Sequence, residues 1–158
     1  MKKTNLFSKI IFICIISFTI MYFFDYKILV SNTNSLTNSV FLLTPKKDFK
    51  NGDIVTFNYQ FENYFKYKKG DKFTKIISCS AGQELKKVDL NFFCDGRFIG
   101  SAIKMDGKGQ KLKSFEIVEE IIPTNKYFLM GTNPKSYDSR YYGYIDEKDI
   151  IGVTYGLI

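Results

Sequence analysis

Histidine is absent from all 158 residues. That absence removes the histidine-based hydrolases, because neither a Ser-His-Asp nor a Cys-His pair can be built, and a zinc site with imidazole ligands is excluded with them. Cysteine is scarce: Cys14, Cys79 and Cys94 show no metal-ligand spacing. No metal and no cofactor is therefore expected. Tryptophan is also missing, and only 3 prolines occur. Nucleophilic chemistry in this chain must find another base. Lysine is the main candidate, because burial lowers its pKa towards neutrality.

What is present is apolar and aromatic. Hydrophobic residues make up 45% and aromatics 17%, with 16 Phe and 11 Tyr. A core can be built, and the length suits one domain plus a short appendage. Abundant Phe and Tyr favour strands. The formal charge is +7. Part of it lies near the N-terminus, where Lys2, Lys3, Lys9 and Lys27 face a single acid, Asp25. No basic run is interleaved with aromatics as in single-strand binders, so no nucleic-acid partner is expected. Anionic lipid headgroups are the simpler partner for the excess.

An apolar run extends from Ile10 to Phe24, broken by Ser17 and Thr19. As a helix it spans about 22 Å, short of a hydrocarbon core of about 30 Å. Extending it through Lys27 to Val30, with the lysine snorkelling, brings it close to spanning length. A cleaved signal peptide is the competing reading. The place for a small-x-small cleavage site holds Met21-Tyr22-Phe23-Phe24-Asp25, bulky throughout, which favours an uncleaved anchor. The expected organisation is a cytoplasmic N-terminus over 1–9, a transmembrane anchor over 10–30 and an extracytoplasmic domain over 31–158, with the lysines keeping the N-terminus inside. In a bacterium that puts the domain in the periplasm or its equivalent.

The remainder reads as mainly β. Strands are predicted at 40–43, 53–59, 73–77, 91–93, 97–99, 126–130 and 150–153, separated by Gly, Asn, Asp and Lys clusters. Segment 104–114 reads as an exposed loop. Cys79 and Cys94 fall on the outer side, where a disulfide can form; two free, buried cysteines are the alternative.

Three stretches resemble the signal peptidase I-like serine peptidases that use a Ser/Lys dyad. Asn32-Thr33-Asn34-Ser35-Leu36-Thr37-Asn38-Ser39-Val40-Phe41 is similar to the nucleophile box of the TraF-type conjugative-transfer peptidases, with Thr37 and Ser39 where that pattern has Pro and Gly. A polar linker is the alternative for this stretch taken alone. Gly52-Asp53-Ile54-Val55 resembles a structural strand of the family. Lys75 precedes Gly82 by the family's lysine-to-glycine spacing, while Ala81 and Gln83 replace Pro and Asp; the rival Lys72 lacks that spacing. The third stretch is the most specific. Gly131-Thr132-Asn133-Pro134-Lys135-Ser136-Tyr137-Asp138-Ser139-Arg140-Tyr141-Tyr142-Gly143 resembles the Gly-Asp-Asn…Ser-x-Asp-Ser-Arg-x-x-Gly box, with Thr132 in place of the Asp.

The resemblance implies an antiparallel β-sheet or barrel domain of the signal-peptidase kind behind one N-terminal transmembrane helix. It also implies a membrane-bound endopeptidase that removes leader segments from exported preproteins, pilin or other type IV secretion subunits above all. Ser35 would be the nucleophile and Lys75 the neutral general base. Thr33 would donate to the oxyanion and Ser136 would orient the amine. Asp138, Arg140 and Gly82 would be structural. A housekeeping signal peptidase is one alternative; a non-catalytic, membrane-tethered β module of a secretion complex is another.

Overall fold

The computed structural model describes residues 6–61 and 67–158; Lys2 and Lys3, at the start of the expected cytoplasmic segment, lie outside the described residues. Helix α1, Leu6–Phe23, has 18 residues and buries none of them against the rest of the chain. At 1.5 Å per residue it is about 27 Å long. By length and composition it can cross a membrane.

The helix stops earlier than the hydrophobicity of the sequence suggests. Asp25 adopts a φ of 55° and turns the chain. Lys27–Val30 then forms strand β1, paired antiparallel with β2, Val40–Leu43, from Lys27↔Leu43 to Val30↔Val40. The expectation that 27–30 completes the apolar span is thus corrected. A sheet neighbour was available to their backbone, and β-branched Ile28 and Val30 suit a strand as well as a bilayer.

The other elements follow in order: β3 (Ile54–Asn58), β4 (Lys72–Ser80), β5 (Glu84–Val88), β6 (Asn91–Cys94), β7 (Arg97–Ser101), β8 (Glu119–Ile121), β9 (Lys126–Met130), the short helix α2 (Ser139–Tyr142), β10 (Ile145–Asp146) and β11 (Ile150–Gly156). They make a seven-stranded sheet, β1-β2-β11-β3-β4-β9-β10, and a four-stranded sheet, β7-β6-β5-β8. Every pairing between these strands is antiparallel. The mainly β, antiparallel domain behind one apolar helix anticipated from the sequence is therefore found.

Strands β5 and β8 carry too little apolar signal to be predicted. β8 is exposed throughout and β5 buries only Leu85. Pairing holds them instead, with Lys86 opposite Glu119 and their side chains 2.6 Å apart. The 104–114 loop is mostly exposed, as expected, with one bridge between Met105 and Lys111.

Two apolar clusters make the core. One gathers Val55, Phe57, Tyr59, Phe73, Ile77 and Leu129 on the large sheet. The other gathers Leu85, Phe92, Phe128 and Met130 around Cys79 and Cys94, which form a disulfide between β4 and β6. That bond ties the small sheet to the centre of the large one. Replacing both cysteines with serine should lower stability by about 3 kcal/mol, the loop-closure entropy of a loop this size. Urea melts of the variant and the parent, both oxidised, measure the loss.

Candidate active site

Strand alternation selects one lysine. Along β4 the residues Phe73, Lys75, Ile77 and Cys79 point into the protein while Lys72 is exposed at the strand's start. Lys75 is 4% exposed. Its amine lies 5.5 Å from the centroid of the Phe73 ring. Burial lowers its pKa from 10.5 to about 8; the Asp138 charge opposes this and the Arg140 charge assists it. Desolvation is the largest of the three effects and sets the direction. After Ser80 the chain turns through Gly82, which has a φ of 83°. Gln83, where the family pattern has Asp, closes this turn: its side-chain oxygen accepts from Ser80 N at 2.9 Å, and its amide donates to Asp95 at 2.7 Å.

The last sequence box is built around a buried ion pair. Asp138 is 0% and Arg140 2% exposed. Arg140 donates from Nε to Oδ1 at 2.7 Å and from Nη2 to Oδ2 at 2.6 Å. The carboxylate also accepts from the backbone N of Gly131 at 2.9 Å and caps α2 through Arg140 N. The remaining guanidinium protons reach the carbonyls of Ser101, Asn133, Pro134 and Ser136. Every lone pair and proton of the pair is placed, which is what a buried pair requires. The segment from 131 to 138, which has no regular structure, is thereby fixed.

That segment captures the loop carrying Ser35. The loop leaves β1 and returns to β2, closed at its base by Ser31 N donating to Ser39 O at 2.8 Å. Asn133 donates from its side chain to Asn34 O at 3.0 Å and from its backbone to Ser35 O at 3.3 Å. Thr132 reaches Ser35 O at 3.4 Å. Gly131 lies one step beyond the Ile76↔Met130 pair, hence beside Lys75. A Cβ on Gly131 would meet Ser35 O at 2.6 Å and collide with the Ser136 hydroxyl. Only glycine lets the Ser35 carbonyl and the Ser136 hydroxyl both lie this close to the backbone at 131.

Ser35 and Lys75 line one cleft of about 540 Å³, with Leu29, Thr33, Tyr67 and Tyr137 among its walls. Ser35 Oγ is 2.8 Å from Thr33 Oγ1. The Ser136 hydroxyl is buried and has no hydrogen-bond partner among the described residues. Neither a Ser35–Lys75 nor a Lys75–Ser136 hydrogen bond is closed in this arrangement; catalytic contacts are often loose until substrate seals the site. Sequence reading passed over Gly131 and Asn133, although both lie inside the box it quoted. It read them as pattern, and their work depends on contacts with a loop almost a hundred residues earlier in the chain.

A mainly β domain thus stands behind an apolar helix, with the Ser35 hydroxyl and the desolvated Lys75 in one cleft. Residues 3–156 match the family described as signal peptidase, peptidase S26, and the chain belongs to that family of membrane-anchored serine peptidases. Among curated proteins it is 30% identical over 110 residues to the inactive signal peptidase IA of Staphylococcus aureus strains Mu50 and N315, over 65% of this chain and 56% of theirs. It is 34% identical over 73 residues to the signal peptidase I of Buchnera aphidicola subsp. Baizongia pistaciae, covering 44% of this chain and 22% of that one. The chain thus spans little more than half the length of the Staphylococcus relatives. A solved signal peptidase I from Enterococcus faecalis V583 is similar with a TM-score of 0.46 and 20% identity, over 68% of this chain and 97% of that one.

Replacing Arg140 with Met should cost about 3–5 kcal/mol, because it strands the Asp138 carboxylate in the interior. Denaturant melts should show partial recovery when Asp138→Asn is added, since the neutral amide removes the uncompensated charge.

Proposed function

We propose that the chain is a membrane-anchored serine endopeptidase that cleaves leader segments from exported preproteins, with Ser35 as nucleophile and Lys75 as general base. The observation that carries this reading is the burial of Lys75, an amine depressed to about 8 in the cleft that also holds Ser35. A lysine can take the serine proton only when neutral, and burial makes the neutral form accessible near physiological pH. Asp138 and Arg140 hold the 131–138 segment, and Ser136 orients the amine once substrate draws the site together. Thr33 and the Ser35 backbone N–H are the oxyanion donors.

The anchor would be α1, with its N-terminus in the cytoplasm and the domain from 31 onward on the far side of the membrane. A helix that is apolar all round and packs against nothing supports that placement. Strand β1 follows the helix directly and lines the cleft, so the scissile bond would be met close to the bilayer, where a preprotein held by its own apolar segment presents it. The Asn133-Pro134-Lys135-Ser136 sequence with Arg140-Tyr141 favours the conjugative-transfer branch, and with it a pilin or other type IV secretion subunit as substrate, over a housekeeping enzyme.

A second reading has one observation behind it: the Staphylococcus relatives are named inactive signal peptidases. On that reading the chain is a membrane-tethered β module without catalysis. Co-expression with a preprotein, followed by mass analysis, separates the two. Processing is expected with the parent and should be lost with Ser35→Ala and with Lys75→Ala, while circular dichroism stays unchanged. An unprocessed preprotein in the presence of the parent favours the β module.

The pH dependence has a definite sign. The rate of Ser35 acylation should rise as pH passes through about 8. For stability, the folded value lies below the ordinary 10.5, so between about 8 and 10.5 the unfolded chain binds more protons and stability increases with pH. Below about 8 the burial penalty, on the order of 3 kcal/mol, is fully present. Lys75→Met should therefore raise the melting temperature at pH 7 and flatten its dependence on pH across that window. A melting temperature lowered by this substitution would show that the amine is not an unfavourably buried charge.

A further inference from the structure

Three hydroxyls stand in a row on the rim of the cleft. Ser31, Thr33 and Ser35 all line it. Thr33 Oγ1 is 2.8 Å from Ser35 Oγ and 3.3 Å from Ser31 Oγ. Ser31 makes two further bonds to the same residue: its hydroxyl donates to Thr33 O at 3.0 Å and accepts from Thr33 N at 3.2 Å. It is itself pinned, through its backbone N–H, to Ser39 O at 2.8 Å.

The proton count along this row is informative. A serine hydroxyl has one proton and two lone pairs. The Ser31 proton is committed to a carbonyl, which can only accept. All the contacts of the row are satisfied at once when the Thr33 hydroxyl is the donor to Ser31. With its proton directed at Ser31, Thr33 offers a lone pair to Ser35, and the Ser35 proton points at Thr33. This arrangement keeps the nucleophile's proton away from Lys75.

We infer that Ser31 is a positioning residue that holds the Thr33 peptide and hydroxyl in place and takes up the Thr33 proton until substrate arrives. The inference rests on the Ser35/Lys75 reading above. In the acylation step the Ser35 oxygen forms a bond to the substrate carbonyl carbon, and its proton passes to the neutral Lys75 amine. The carbonyl π pair moves onto oxygen, and Thr33 turns its proton from Ser31 to that oxyanion. The C–N bond then breaks, and the Lys75 ammonium returns the proton to the leaving amine. In this step Ser31 exchanges no proton and forms no bond with the reacting atoms. Its two backbone bonds to Thr33 decide whether the hydroxyl already sits where the oxyanion develops, and such preorganisation counts in the transition state rather than in substrate binding.

The test uses the full chain in detergent with a p-nitrophenyl acyl ester, reading the acyl adduct on Ser35 by peptide mass against time. Ser31→Ala should slow saturated acylation about tenfold, the effect of one misplaced hydrogen bond, with the half-saturating ester concentration and the melting temperature unchanged. Ser31→Thr keeps the hydroxyl and should return the rate to within about twofold of the parent. In a Thr33→Ala background Ser31→Ala should have no further effect, because the group it positions is gone. Acylation of Ser31→Ala at the parent rate overturns the inference. So does an equal loss in both backgrounds, which would mean that Ser31 acts through the loop and not through Thr33. If the parent itself acquires no adduct on Ser35, the catalytic reading fails and this inference fails with it; an adduct formed equally by parent and variant sinks the inference alone.

Discussion

The ion pair between Asp138 and Arg140 is the interaction on which the candidate site depends. Removing a carboxylate and a guanidinium from water costs several kcal/mol for each ion, and their attraction offsets this only when the remaining donors and acceptors are also used. Here the carboxylate takes two guanidinium N–H groups and two backbone N–H groups, and the guanidinium spends its other protons on four carbonyls. Those carbonyls belong to β7 and to the irregular stretch before Asp138. The planar fork of arginine can span them at once, which a lysine ammonium at this position could not do. A segment with no strand or helix of its own is held as firmly as one that has them.

Consequences pass outward from that pair in two directions. Through Asn133 and Thr132 it places the loop bearing Ser35, whose carbonyl and that of Asn34 are gripped by this segment. Through its charge it sets the field at Lys75. Asp138 raises the pKa of the amine and Arg140 lowers it, and desolvation by the strand interior prevails. The pair thus helps to place the loop that carries Ser35, while the proton affinity of Lys75 is set first by its burial.

Membership of the signal peptidase family gives the apolar helix and the β domain a common purpose. The helix has no packing partner among the described residues, which leaves its apolar surface to be covered from outside. Strand β1 begins almost at once after it and belongs to the sheet edge that lines the cleft. The short connection ties the height of the cleft to the end of the helix.

Some of this was written in local sequence. Strands with alternating or continuous apolar character, such as 54–58 and 126–130, were legible because their side chains announce the face they bury. The absence of histidine left lysine as the candidate base, and the box from Gly131 to Gly143 carried the resemblance to the family. Other features had no local signal. Strands β5 and β8 exist because neighbours pair with them, and 27–30 became a strand because β2 offered it an edge when its composition also suited the bilayer. Thr33 and Ser35 lie in a stretch that by itself also reads as a polar linker, and their hydroxyl row with Ser31 appears only once the loop is closed by Ser31 and Ser39. By itself the sequence determined which residue types were available for chemistry and which could enter a core. Tertiary structure decided that Lys75 and not Lys72 is desolvated, because burial depends on which face of β4 meets the interior, and it brought residues 35 and 75 to one cleft, because contacts between distant segments are made by the fold and not by their own sequence.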